Sequence, residues 1–434
     1  MATDPKQASI ASDEADYAAS HEDFSLQPVP EGARRGLISM SAVMLGFTFF
    51  AASMWTGGKL GQGFQLWPDL IVVILLGNLI LGVYGALLGY AAAKTNLSTH
   101  LLSRYAFGVM GSKLPSFMLA FTQIGWFGVG VAMFAYPINK FVDVPNLPLI
   151  IGGGLVMTYT VVVGFKAIEW LSVIAVPAIL LLGLTSVGTA IADTPGGLEA
   201  LMAIEPEKTL TFAVGIALAV GSFISGATLT PDFVRYAKTR KIGVTATIIG
   251  FTFGNSLMFL FGAIGAISTG LSDIAEVLAL QGLLGAGIFL LVLNIWTTND
   301  NALYAAGLGL ANLTGLKRVH LVIAAGVVGT LLAEWLYNNF VDWLVFLSVS
   351  LPPIGGIIIG DFYLRCRRHY PEPSQYHFKS INWAAMIAWA LAITVSVLSP
   401  EQGILSIAPL NAIITAMVAH FLLSVWLFPA KTRQ

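Results

Sequence analysis

The most polar run within an apolar stretch of this chain is NIWTTNDNALY, Asn294 to Tyr304. On a helix, Asn294, Thr297, Thr298 and Asn301 recur at i, i+3, i+4 and i+7 and form one stripe, with Asp300 facing elsewhere. Hydroxyls and carbonyls without a carboxylate or imidazole are the hard, neutral oxygens that a monovalent cation accepts. A second constellation is FTQIGWFGVG, Phe121 to Gly130, where Gln123 and Trp126 are three apart and share a face. An amide beside an indole sets a donor–acceptor pair next to a flat π surface, which suits a small planar heterocycle with amide-like edges. Two further stretches mix small residues and hydroxyls. In Ala219 to Phe233, Gly221 and Gly226 bracket Ser222, Phe223, Ile224 and Ser225, and Pro231 follows. In Ser41 to Gly58, Gly46 and the run Ala51, Ala52, Ser53 let the backbone leave the helix, and Gly57 and Gly58 end it. Both read as interrupted helices whose freed backbone groups line a cavity. Close helix packing is the competing reading for such small residues.

These residues need long apolar helices to hold them. Of the 434 residues, 56% are hydrophobic and 10% charged, against about 25% charged in soluble domains, which excludes a soluble enzyme. Stretches of about 20 apolar residues, enough to cross a bilayer, occur twelve times. They lie near 36–56, 69–93, 114–140, 146–165, 168–192, 211–236, 243–270, 283–309, 320–338, 341–363, 381–399 and 404–429. The segment 93–113 is too polar to span and is expected to be interfacial or re-entrant. Eighteen of the 22 Lys+Arg fall on one side of this arrangement, and Lys59, Lys140 and Lys208 on the other. The positive-inside rule then puts both termini in the cytoplasm. Residues 1–35, polar with seven acids, are expected to be a disordered cytoplasmic tail and no cleavable leader.

Several functions lose support. A net charge of −1 argues against nucleic acid as a partner. Cys366 is alone, and the six histidines are in tails, loops or isolated, so neither a metal centre nor a nucleophile–base pair can be assembled. His420 reads as structural. Asp232, Arg235, Arg240 and Asp361 read as gate or interface charges at inner helix ends. No GxxxxGK[ST] loop is present, so ATP-driven transport by this chain is not expected. A secondary transporter remains, with a channel or transceptor using the same pocket as the other class; an intramembrane enzyme is the weakest reading.

The runs SMWTGG, THLLSRYAFG, TQIGWFGVGVAMFA, GSFISGATLTPDFVRY, GNSLMF, LNIWTTNDNALYAAGLG and WLYNNFVDWL resemble the nucleobase–cation symporter family, in its bacterial cytosine-carrying branch. The resemblance runs from about Arg34 to the twelfth span and leaves out the tail and 370–380. It implies an all-α polytopic membrane protein with two inverted five-helix repeats, like the leucine transporter, plus two extra helices. The transport core is then 36–363, a cytoplasmic loop 364–380, and the extra helices with a C-terminal tail 381–434. A scaffold of helices three, four, eight and nine would move against a four-helix bundle.

By the same resemblance, Trp126 and Phe223 sandwich a pyrimidine, Gln123 hydrogen-bonds it, and Ser222, Ser225 with nearby unwound backbone and Asn294 contact it. Thr297 and Thr298 hydroxyls, the Asn294 carbonyl and carbonyls around Gly46 and Phe49 would hold a sodium ion. The implied activity is sodium-coupled uptake of cytosine across the bacterial inner membrane, with no cofactor beyond the coupling ion and no obligatory protein partner. A purine, allantoin or hydantoin carrier of the same family, or proton coupling through Asp300, is the alternative.

Overall fold

The computed structural model describes residues 27–163, 166–206, 209–400 and 402–429. Among them there is no β-strand; a single bridge joins Arg35 to Ala237. The chain opens with a bent pair, α1 (Leu37–Thr48) and α2 (Ala51–Gly61), at 54° to one another. Then come α3 (Ile71–Thr95), the short α4 (Thr99–Phe107), α5 (Lys113–Val142), α6 (Asn146–Val163) and α7 (Lys166–Asp193). A second interrupted pair follows, α8 (Phe212–Thr228) and α9 (Thr230–Val234). Next are α10 (Arg240–Ile248) and α11 (Ser256–Thr269), joined by a π-helical stretch Ile249–Asn255. The chain continues with α12 (Leu284–Thr314), α13 (Arg318–Asn338), α14 (Phe340–Ser350) and α15 (Pro352–Ile359), and ends with α16 (Trp383–Val397) and α17 (Ala408–Leu422).

Each expected apolar stretch carries helix. Among the described residues, seven helices are long and apolar enough to cross a membrane, eight with the bent pair as one span, and three shorter apolar helices stand beside them. Large apolar side chains face outward, among them Leu331 and Trp426 at 79% exposure. Such a surface is stable only against hydrocarbon.

Two sets of helices are tied internally by buried polar groups. In the first, Ser53 Oγ donates to Asn255 Oδ1 (2.6 Å) and Asn255 Nδ2 to Asn78 Oδ1 (2.7 Å), linking α2, the π stretch and α3. Tyr84 and Thr228 hydroxyls meet at 2.8 Å and add α8. In the second, Asn299 Nδ2 on α12 donates to Phe127 O on α5 (3.1 Å), and Thr160 on α6 donates to both oxygens of Asp300 on α12 (3.0 and 2.9 Å). These bonds tie each set internally, which lets either set behave as a body.

One expectation about local structure needs correction. Gly57 and Gly58 do not end the first element: α2 runs through them to Gly61. A Cβ at Gly57 would lie 2.0 Å from the Phe259 carbonyl oxygen, so this glycine lets α2 lie directly on the α11 backbone. The segment 93–113, expected to be interfacial or re-entrant, is packed into the protein. Its helix α4 buries Thr99, His100, Leu101, Leu102 and Ser103, and the Thr99 N–H donates to Asp232 Oδ1 (2.8 Å) beside the end of α9.

The expected tail also ends sooner than residue 35. Val29 is buried, its N–H bonds Asn96 O (3.1 Å), and Arg35 pairs by backbone with Tyr236 and Lys238. Residues 1–26 and 430–434, with most of the tails, lie outside the described residues.

Candidate functional site at the helix breaks

The first break falls at Phe49 and Phe50. Phe50 is extended (φ −124°, ψ 132°), and its N–H turns to Thr48 O (2.9 Å) in place of the Gly46 carbonyl that a continuing helix would use. The next N–H, that of Ala51, donates to Asn294 Oδ1 (2.9 Å), while Asn294 Nδ2 donates to Phe49 O. One side-chain amide on α12 therefore completes both sides of the broken ladder in α1–α2. Without it, a buried N–H and C=O would lack partners in an apolar surround.

The same residue anchors the oxygen stripe. The Asn294 carbonyl accepts from Thr297 Oγ1 (2.9 Å) and Thr298 Oγ1 (2.7 Å). All three residues are buried, whereas Asn301, the fourth member of the stripe, is only half-buried. Gly46 O, Phe49 O, Asn294 O and the two hydroxyls are neutral oxygens of the kind that suits sodium. The Asn294 side chain meets Phe49 O at the C-terminal end of α1, where the helix dipole is negative. Asp300 faces α6 through Thr160, whose hydroxyl also accepts from Trp296 Nε1 (3.1 Å). Among the described residues no group of three or more His, Cys, Asp or Glu could hold a metal ion.

The second break corrects the sequence reading. Ser222 to Gly226 is regular helix, and the irregular residue is Leu229 (φ −85°, ψ 1°) between α8 and α9. Proline explains the position: Pro231 has no N–H for the Ala227 carbonyl and its ring crowds that turn, so the helix yields within the turn before it. The glycines serve contact instead, since a Cβ on Gly221 would lie 2.1 Å from the Leu344 carbonyl oxygen of α14. Accordingly, the backbone at Ser222 and Ser225 is itself helical, and the irregular residue lies one turn on at Leu229, whose N–H donates to Ser225 O (3.0 Å). Ser222 Oγ donates to Ala219 O in its own helix (2.8 Å), while Ser225 Oγ accepts the indole N–H of Trp126 (2.9 Å).

Trp126 and Phe223 are each 5% exposed, and both meet Phe50 edge-on, at 5.8 Å and 70° and at 6.5 Å and 88°. Gln123, also 5% exposed, makes no hydrogen bond to any described residue. Phe50 and Asn299 escaped the sequence reading. Phe50 sits in the break itself, and its only sequence signal is its place before the small-residue run. Asn299 lies inside the polar run but off its stripe. Its amide packs onto Gly130, where a Cβ would approach Asn299 Oδ1 to 1.9 Å, and that oxygen is buried without a partner among the described residues.

Two internally tied sets of helices, with the α1–α2 break bonded across to α12 and the Trp126 indole bonded across to α8, have the architecture of a membrane transporter. The pattern described as permease for cytosine/purines, uracil, thiamine, allantoin matches residues 28–424, and the chain belongs to that family. It is 51% identical over 401 residues to the cytosine permease of Escherichia coli strain K12, covering 92% of this chain and 94% of that one. The fold is similar to two solved structures of Mhp1. The inward-facing form has a TM-score of 0.81 at 24% identity, over 92% of this chain and 93% of that one. The closed form with bromovinylhydantoin bound, described as a nucleobase-cation-symport-1 family transporter, has a TM-score of 0.80 at 23% identity, over 93% and 95%. The fold is therefore of the leucine-transporter kind, and the chain is a permease rather than an enzyme.

Proposed function

We propose that this chain imports cytosine across the bacterial inner membrane by sodium-coupled alternating access, with twelve crossings and both termini cytoplasmic. The observation that carries the reading is Asn294. Its side chain completes the break in α1–α2, and its carbonyl gathers the Thr297 and Thr298 hydroxyls. An ion held by these oxygens with Gly46 O and Phe49 O ties the moving pair α1–α2 to α12. Cytosine lies against Trp126 and Phe223, with Gln123 reading its amine and ring nitrogen. Ser225 orients the indole, and Ser222 with Asn294 borders the base. Cytosine is neutral at pH 7, which accords with the amides and hydroxyls of Gln123, Asn294, Ser222 and Ser225. Stacking contributes about 1–3 kcal/mol per base. The 51% identity to a cytosine permease supports the choice of base.

Ion and base reinforce each other because both depend on the segment at Phe49–Ala51. The coupling is reciprocal and typically about 1–3 kcal/mol. The test is uptake of labelled bases into proteoliposomes with and without a sodium gradient. Cytosine is expected to accumulate uphill only with sodium, and uracil to compete poorly because its carbonyl leaves an amide unpaired. Equal competition by uracil would refute the base assignment. Unchanged cytosine affinity with choline in place of sodium would refute the coupling.

A further inference from the structure

Away from the helix breaks, a cavity of about 310 Å³ opens between α4, the end of the span that closes with Arg365, the segment before α16, and the last turn after α17. That volume lies within the range of about 300–1,000 Å³ typical of ligand pockets. Its lining combines basic and hydroxyl groups, Arg365, Lys379, Tyr376 and Ser424, with the apolar side chains of Val425 and Phe428.

Three features distinguish it from a packing gap. Arg365 is held by two of its nitrogens, Nε and Nη2, on the fully buried Asp361, which leaves Nη1 for another acceptor. Lys379 is exposed and makes no ion pair with a described residue. Ser424 is 7% exposed, and its hydroxyl has no hydrogen-bond partner among the described residues. The spans ending at Arg365 and Leu427 both terminate here, and Val425 in the lining is 45% exposed, which suits a cavity at a membrane face.

We propose that this cavity binds a phosphate group at the membrane face, supplied by the headgroup of an anionic phospholipid whose acyl chains run along Val425 and Phe428. Arg365 offers a pre-oriented guanidinium, Lys379 a mobile second charge, and Ser424 a hydroxyl donor. Basic pockets between spans are suited to such headgroups, and each cation near the surface contributes about 1 kcal/mol, or about fivefold in affinity.

The full-length protein is examined by native mass spectrometry and by thermal unfolding with phosphatidylglycerol, phosphatidylcholine or inorganic phosphate. Phosphatidylglycerol is expected to stay bound and raise Tm, and phosphatidylcholine to do neither. Lys379→Gln weakens phosphatidylglycerol binding about fivefold. Ser424→Leu, which fills the cavity with an apolar side chain, removes it. Equal effects of the two lipids, or phosphatidylglycerol binding unchanged in both variants, would overturn the site. A rise in Tm with inorganic phosphate alone, matching that of the lipid, would overturn the lipid as its source.

Discussion

Ser225 reaches across the seam to the Trp126 indole, so the orientation of one π face is set by the helix that carries the other, Phe223. Side-chain hydrogen bonds between membrane helices contribute about 0.6 kcal/mol on average. Ser225→Ala is therefore expected to raise the cytosine Km about threefold and leave the sodium concentration for half-maximal uptake unchanged. Initial-rate uptake at varied cytosine and sodium checks both. Thr298→Ala does the reverse: it removes an oxygen from the proposed ion site, and contacts to a charged group are worth about 1.5–3 kcal/mol. Half-maximal uptake should then need at least about tenfold more sodium, with base selectivity retained; equal shifts for ion and base would refute the separation. The stripe that holds Asn294, Thr297 and Thr298 was legible because it follows helical period. The bond from the Asn294 side chain to Ala51 was not, because its partners are 243 residues apart and no local pattern marks them.

The interruption of the first element was legible from composition, but its position was not. Small residues permit a break without fixing one, and the residue that departs is Phe49 or Phe50, where Asn294 supplies the missing partners. In the second element the glycines drew attention, yet proline decided, since only Pro231 removes a hydrogen bond. Small residues here serve close approach between helices, and what they meet is set by tertiary packing. The polar chain Ser53–Asn255–Asn78 was likewise hidden, as three unremarkable residues on three elements. Asn255→Leu leaves Ser53 and Asn78 buried with lost partners, at about 1–3 kcal/mol. We expect Tm to fall by about 2–4 °C, with cytosine and sodium affinities of the folded fraction unchanged. Thermal unfolding and equilibrium binding on the same preparation check this; an unchanged Tm would show that the chain does not hold the set together.

At the scale of the whole molecule, the last two helices need a reason to stay on the core, since lipid is as apolar as their own side chains. Close packing supplies part of it, since a Cβ on Gly356 would lie 2.7 Å from Ile413 O of α17, and a polar tie is Asp361, fully buried at the end of the span that runs from Phe340 to Arg365. Its carboxylate accepts from Arg365 Nη2 (2.9 Å), Tyr370 OH (2.7 Å) and His420 Nε2 (2.9 Å). His420 belongs to α17, so this one acid joins the core to the terminal pair and to the stretch at 364–380. That stretch is no free loop: Tyr370 stacks on Tyr105 at 4.2 Å and 9°, and the Lys379 and Ser380 carbonyls accept from Val109 and Met110 N–H groups (2.9 and 2.8 Å). The sequence marked Asp361 as an interface charge and His420 as structural, but separately, because 59 residues divide them. Removing one member of a buried ionic cluster typically costs about 3–5 kcal/mol, since the others keep their desolvation without compensation. Asp361→Ala should therefore sharply reduce folded yield, and Tyr370→Phe, which deletes one neutral donor, only slightly. Fluorescence-detected size-exclusion chromatography of both variants in detergent decides the matter. If Asp361→Ala elutes as a sharp monodisperse peak with the unfolding temperature of the parent, the terminal helices are held by packing alone.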